Sequence, residues 1–89
     1  MKIYRWDQEK NSELKINRNI SFEDVLVKIK KGDVLGVIES PSEKRKEQKV
    51  FVIKHNEYIY YVPFVEIGEE VFLKTIIPSR KLKKRYGYN

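Results

Sequence analysis

The last eleven residues, 79–89, contain the side chains best suited to act on a polyanion. They hold five cations and no acidic residue, in a chain of formal net charge +6. Tyr86 and Tyr88 follow those cations and could stack on bases. Because guanidinium and ammonium groups neutralise phosphates, nucleic acid is the first partner to test, and a merely solvated basic tail is the alternative. The five cations are Arg80, Lys81, Lys83, Lys84 and Arg85.

Length and composition limit the classes of protein to consider. The chain has 89 residues and no cysteine, which favours a single domain (1–89) and excludes disulfide scaffolds and thiolate zinc sites. No apolar run approaches the roughly 20 residues of a membrane span, and the N-terminus lacks the apolar stretch of a signal peptide. We therefore expect a cytoplasmic protein without a membrane partner.

The first third of the chain predicts two helices. Asp7 can cap a helix over about 8–17 in which Leu14 is the clearest buried residue. Ser21 can cap a second helix that ends at Gly32. Four apolar residues recur at helical spacing in that second helix and should face a sheet. They are Phe22, Val25, Leu26 and Ile29.

The remainder of the chain predicts strands, because β-branched and aromatic residues dominate four short segments. The last three segments are too close together for a crossover helix and should pair antiparallel, with turns at 55–57 and 67–70. The segment 40–48 between the first two strands is charged and reads as a loop. The predicted strands are 34–39, 49–54, 58–65 and 71–77.

Two details of the predicted strands concern side-chain placement. Pro63 cannot donate a backbone hydrogen bond, so its strand should lie at an edge or carry a bulge. Alternation through the last strand places Phe72, Lys74 and Ile76 on one face. Lys74 is then either a lysine whose stem lies along the sheet or a fixed cation near the basic tail.

These elements predict an α+β fold. Two N-terminal helices should pack on one face of a twisted antiparallel meander of four strands. Residues 2–6 would add a fifth, short edge strand. The basic tail 79–89 would follow directly after the last strand.

Three motifs resemble the BrnT-type toxins of type II toxin–antitoxin systems, which belong to the RelE/ParE-like group of bacterial proteins. A Trp-Asp-x-x-Lys-Asn helix start matches 6–11, and an Ile-Ser-Phe-Glu helix start matches 20–23. The strand end Ile-Ile-x-x-Arg-Lys matches 76–81 in the same order. The resemblance implies a RelE/ParE-like fold, endoribonuclease activity and neutralisation by a cognate antitoxin.

The chain also departs from the family pattern at three places. Asn19 stands where the family has Gly before the second motif, and Asn17-Arg18 replaces a Lys-His pair, which removes a histidine. Pro78-Ser79 replaces Ser-Ala before Arg80. The chain therefore fits either this family or a sister family.

A ribonuclease of this kind would need a base for the 2′-hydroxyl, cations on the phosphate and an acid for the leaving oxygen. Arg80 and Lys81 are the best candidates to hold the scissile phosphate, since the guanidinium of Arg80 can bind two oxygens. Lys10 and Lys74 complete the predicted catalytic set. The predicted RNA-binding residues are Arg18, Lys83, Lys84, Arg85 and Tyr86.

The general base is the least defined part of the site. His55 is the only histidine, the residue type most often used for this role, but it lies in a predicted turn far along the chain from the cations. Glu23 and Glu66 are alternatives, and toxins of this group can work without a histidine base, as the resemblance implies. No phosphate loop, catalytic triad or metal cluster is present in the sequence, so we expect neither a metal nor another cofactor.

Two functions therefore remain open from the sequence. The first is a toxin that cleaves mRNA or ribosome-associated RNA and forms an oligomer with its antitoxin. The second is a non-catalytic module that binds nucleic acid or a protein through the same cations. A DNA-binding regulator ranks last, because two helices ahead of a meander do not form a helix-turn-helix.

Overall fold

A computed structural model describes residues 2–39 and 49–85, and it confirms an α+β architecture with both N-terminal helices in place. Two predicted features lie outside the described residues: the loop 40–48 and the residues from Tyr86 onward. No helix in the described ranges has the length and apolar character needed to cross a membrane. The elements are β1 Ile3–Arg5, α1 Gln8–Arg18, α2 Phe22–Lys30, β2 Gly36–Glu39, β3 Lys49–His55, β4 Tyr58–Ile67, β5 Glu70–Leu73, β6 Ile77–Pro78 and α3 Arg80–Arg85.

The sheet is mixed rather than a purely antiparallel meander. Its strand order is β1-β5-β4-β3-β2, and the short β6 also pairs with β4. The pairs from β2 to β5 are antiparallel as predicted, whereas β1 pairs parallel with β5. The prediction of four or five antiparallel strands was wrong on these points, because sequence alternation reveals neither strand direction nor a two-residue strand.

The capping residues predicted for both helices act as expected. The Asp7 carboxylate accepts hydrogen bonds from the first-turn amides of α1. Ser21 and Asp24 form a reciprocal capping box at the start of α2. Asn19 ends α1 with a φ of 54°, a left-handed conformation that Asn tolerates better than most residues.

The main core lies between the two helices and one face of the sheet. Phe22 and Val25 of α2 are fully buried there, Ile29 packs against them, and Leu26 is half-buried. The predicted sheet-facing side of α2 is therefore correct in its main residues. The buried members of this core are Leu14, Ile20, Phe22, Val25, Ile53, Val62, Phe64, Val71, Leu73 and Ile76.

A second, smaller apolar cluster lies on the other face of the sheet. Val50, Val52 and Ile59 are fully buried, and they pack with Ile38 and Tyr61. These residues alternate along β3 and β4 with residues of the main core, so both faces of the central strands are apolar.

The last predicted strand is interrupted between Leu73 and Ile77. The amide of Lys74 donates to the carbonyl of Pro63 (2.8 Å), and the pairing with β4 resumes only at Ile77. Pro63 lies in a central strand and faces this interruption, so the edge position, one of the two alternatives predicted for its strand, was wrong. Ile76 is buried with the main core instead of sharing a face with Phe72, because the interruption breaks the alternation.

The two hairpin turns are tighter than predicted. Asn56 and Glu57 alone connect β3 to β4, and both have a positive φ (50° and 65°), as a two-residue hairpin loop requires. His55 is consequently the last residue of β3, paired with Tyr58 across the hairpin. The turn between β4 and β5 contains only Gly68 and Glu69.

Candidate nucleic-acid interface

The first half of the predicted basic tail forms the helix α3. Arg80, Lys81 and Lys84 are exposed, and no acidic residue lies in its first turn. In the part of the chain that the structure describes, no carboxylate forms an ion pair with these three side chains. Lys83 and Arg85 belong to the same helix, but their side chains lie outside the description, as does all of Tyr86. The cations are thus presented on a helix rather than on an extended strand.

Backbone pairing fixes where α3 begins. Pro78 of β6 pairs with Tyr60 of β4, and the amide of Ser79 donates to the carbonyl of Ile59 (3.0 Å). Arg80 follows at once, and α3 remains in contact with β4. Since β4 is a central strand with both faces buried, the sheet holds the cationic helix in a defined position.

The ion pairs found among the described residues lie elsewhere. They join Lys2 and cations of β1, α1, α2 and β3 to carboxylates, on side chains that are mostly exposed. Exposed pairs of this kind contribute little stability, but they offset positive charge locally. Among the described residues, these pairs therefore do not involve the cations of α3. The pairs are Lys2–Glu66, Arg5–Glu70, Lys15–Glu23, Lys28–Asp33 and Lys54–Glu57.

Arg18, predicted to bind RNA, has a structural contact. Its guanidinium donates to the carbonyl of Ile76, in the interruption before β6. This hydrogen bond ties the end of α1 to the segment that leads into α3. Arg18 therefore helps to hold the segment that precedes α3.

The other two predicted catalytic cations lie outside α3, Lys10 in α1 and Lys74 in the interruption between β5 and β6. Lys10 is half-buried on α1. Lys74 is exposed, with its Nζ 5.4 Å from the centre of the Phe72 ring, and it borders an open cleft of about 370 Å³ that Val65 and Ile67 also line. Of the four predicted catalytic cations, only Arg80 and Lys81 share one element.

Of the two alternative carboxylate bases, Glu23 is engaged in structure. The Nδ2 of Asn11 donates to its Oε1 (2.7 Å), and this hydrogen bond is the main reason that the pKa of Glu23 lies below its ordinary value of 4.5. The ammonium of Lys15, 3.7 Å from the same oxygen, lowers this pKa further. A carboxylate with a lowered pKa is a weaker base, which disfavours Glu23 for proton abstraction. Glu66, the other alternative, forms an ion pair with Lys2.

The two N-terminal motifs meet in space at this joint between α1 and α2. The Oδ1 of the buried Asn11 accepts from the amide of Phe22 (2.7 Å), and Trp6 stacks on the Phe22 ring with 5.7 Å between centroids. Asp7 and Ser21 cap the two helices. Most residues of these motifs therefore serve to join the helices, a role sufficient to explain their types.

The hairpin that contains His55 is connected through β4 to Ser79, the residue before α3, which the sequence did not predict. His55 pairs with Tyr58 across the hairpin, and Tyr58 precedes the Ile59 that binds Ser79. The rings of His55 and Tyr60 are 6.3 Å apart, and those of Tyr58 and Tyr60 are 5.7 Å apart. We define His55, Tyr58 and Tyr60 as the ring cluster.

Sequence reasoning overlooked the two tyrosines of the ring cluster. The signal was present, since Tyr58 and Tyr60 alternate onto one face and a two-residue turn sets Tyr58 opposite His55. What the sequence did not show was the pairing of β6 with β4, which brings the start of α3 beside them.

No group of three or more His, Asp or Glu residues in the described ranges could hold a metal ion. Comparisons with protein-family models, with curated proteins and with solved structures gave no match.

Proposed function

We propose that this chain is the toxin of a type II toxin–antitoxin pair and that it cleaves RNA without a metal. The observation that supports this most is α3, on which Arg80, Lys81 and Lys84 are exposed without ion pairs among the described residues. The motif resemblance to BrnT-type toxins supplies the reaction class. As part of the same proposal, the α+β fold of this chain is of the RelE/ParE-like type.

The proposed reaction transfers a phosphoryl group within the RNA. A base removes the proton of the 2′-hydroxyl, the 2′-oxygen bonds to phosphorus, and the 5′-oxygen leaves with a proton from an acid, giving a 2′,3′-cyclic phosphate. Arg80 would hold two phosphate oxygens with its planar guanidinium, and Lys81 would stabilise the charge that develops on them. Lys10 of α1 and Lys74, between β5 and β6, would add charge as the RNA passes across the surface.

The proposed antitoxin would act by covering α3. A protein partner with a row of carboxylates suits this helix, because the intramolecular ion pairs leave its described cations unneutralised. Covering α3 would both remove the phosphate site and neutralise the charge that attracts RNA.

Induced expression in bacteria tests the function. The wild-type chain should arrest growth and generate RNA fragments with 2′,3′-cyclic phosphate ends, and Arg80→Ala should abolish both. Arg5→Ala is the matched control, because Arg5 is equally an exposed arginine but pairs with Glu70 (3.0 Å) on the β1 edge. That control should arrest growth like the wild type.

Other outcomes separate the two functions left open by the sequence. If the purified wild-type chain binds RNA and Arg80→Ala weakens that binding, but no cleavage or arrest occurs, the non-catalytic binding module is correct. Arrest that persists fully in Arg80→Ala would contradict the role given to α3.

A further inference from the structure

The sheet face opposite the main core carries an exposed apolar surface at its β1 end. Alternation along β4 sets Val65 and Ile67 on that face, because Phe64 before them belongs to the main core. The strand register then places Phe72 beside Val65, and Ile3 two strands away from Ile67. Paired residues share a face of a sheet, so these side chains form one surface. We call Ile3, Val65, Ile67 and Phe72 the outer patch.

The outer patch is open to solvent. Ile67 is 74% exposed, Ile3 48% and Phe72 39%, and Val65 is half-buried. The second apolar cluster lies on the same face, but its three main residues are fully buried. All members of the patch except Ile3 line an open cleft of about 370 Å³. A solvated sheet face is normally polar, and a contiguous exposed apolar surface is typical of an interaction site.

The charged groups around the outer patch indicate what would bind there. Arg5 and Glu70 border the cleft and pair with each other (3.0 Å), so their charges offset one another. Lys74 also borders the cleft, with its Nζ 5.4 Å from the centre of the Phe72 ring. In the described part of the chain no carboxylate forms an ion pair with Lys74. The ligand therefore needs apolar side chains for the patch and a carboxylate for Lys74.

The width of the outer patch suits one α-helix. Ile3 and Ile67 lie on strands that β5 separates, which places them about 10 Å apart across the sheet. An α-helix with its side chains has about the same diameter. The patch also lies on a face of the sheet, whereas an added strand would need an edge.

Two other occupants fit these requirements less well. The segment 40–48 of this chain has no large apolar side chain to place on the patch. A second copy would bring another Lys74 instead of a carboxylate, together with a formal net charge of +6, and molecules of like charge repel. A separate protein with an acidic, apolar helix meets both requirements.

We propose that the outer patch is the docking site for an acidic amphipathic helix of a partner protein. The apolar stripe of that helix covers Ile3, Ile67 and Phe72, and a carboxylate beside the stripe pairs with Lys74. This inference goes beyond the proposed function, because a chain without ribonuclease activity would present the same face.

NMR titration of the full chain with two synthetic helical peptides tests the inference. The first peptide has leucines at the i, i+3, i+4, i+7 spacing and glutamates and alanines elsewhere, and the second has the same composition with the leucines scattered around the helix. The methyl resonances of Ile3 and Ile67 should shift with the first peptide and stay in place with the second. Ile16, 83% exposed on α1, is the internal control and should shift with neither.

Substitutions separate the apolar and the charged parts of the site. Ile67→Ser should weaken binding of the first peptide by about tenfold, because an exposed isoleucine that becomes buried favours association. Ile16→Ser is the matched control and should bind like the wild type. Lys74→Gln should weaken binding at low salt and make it less sensitive to salt, whereas Lys30→Gln, at another exposed lysine, should do neither.

Several results would overturn the inference. One is that the Ile3 and Ile67 methyl resonances stay in place up to about 1 mM of the first peptide. Another is an equal shift of Ile16, which would indicate unspecific apolar binding. If Ile67→Ser destabilises the free chain as a buried isoleucine would, or dissociates a wild-type dimer in sedimentation, this chain or a second copy already covers the patch. None of these results affects the Arg80→Ala test, which measures growth arrest and RNA cleavage.

Discussion

At the scale of single residues, Asn11 shows how a motif can arise from packing needs. It is a buried polar side chain whose amide donates to Glu23 and accepts from the Phe22 backbone, so both ends are satisfied. It thereby supplies an acceptor to the first turn of α2 from a different helix. Replacing it leaves a backbone amide without a partner.

We expect Asn11→Ala to lower the free energy of unfolding by about 1–3 kcal/mol, the usual cost of a buried group that loses its hydrogen-bond partner. Asn11→Asp is a sharper test, because its carboxylate can still accept from Phe22 but repels Glu23. It should raise the pKa of Glu23, measured by NMR titration, whereas Ser12→Ala on the exposed side of α1 should change neither quantity.

The pH dependence of this effect has a definite sign. Because the fold lowers the pKa of Glu23, its contribution to stability is complete above its ordinary pKa of 4.5 and is lost as the pH falls through the lowered value. The difference in stability between wild type and Asn11→Ala should therefore shrink in acid. A difference that stays constant down to full protonation would contradict the link between Asn11 and the Glu23 carboxylate.

At the scale of elements, local sequence signals predicted the helices well, whereas the pairing of strands that lie far apart in the sequence was not predicted. The local signals are the caps at Asp7 and Ser21 and the spacing of apolar residues in α2. They predicted the bounds of both helices closely. The parallel pairing of β1 and the interruption before β6 depend on partners far along the chain. For the same reason the sequence predicted the cations of the basic tail but not the pairing of Tyr60 with Pro78 that positions the start of α3.

Substitution of Ile76 tests whether the last predicted strand is interrupted before β6. Continuous alternation would set it on the open face with Phe72, which is 39% exposed, whereas the structure leaves Ile76 0% exposed. Ile76→Ala should then cost about 2–5 kcal/mol in chemical denaturation, the range for a buried Ile. Ile16→Ala is the control, at 83% exposure, and should have little effect. Equal small losses would mean that the alternation continues and that α3 is positioned differently.

At the scale of the whole molecule, the arrangement of charge matters more than its total. The formal net charge is +6, and five cations with no carboxylate lie within Arg80–Arg85. The described carboxylates that form ion pairs are all placed on other elements. A polyanion approaching the chain should therefore meet α3 first.

Salt dependence provides a quantitative test of that arrangement. The logarithm of the affinity for single-stranded 2′-O-methyl RNA should fall linearly with the logarithm of salt concentration. The reason is that each lysine or arginine side chain that binds a phosphate releases counterions from the RNA. Lys81→Gln and Lys84→Gln should each reduce the slope by about 0.7, the value for one phosphate contact on a single strand. Lys30→Gln removes another exposed lysine, at the end of α2, and should leave the slope unchanged. If Lys30→Gln reduces the slope as much as the α3 substitutions, RNA is attracted by overall charge alone and α3 has no special place in binding.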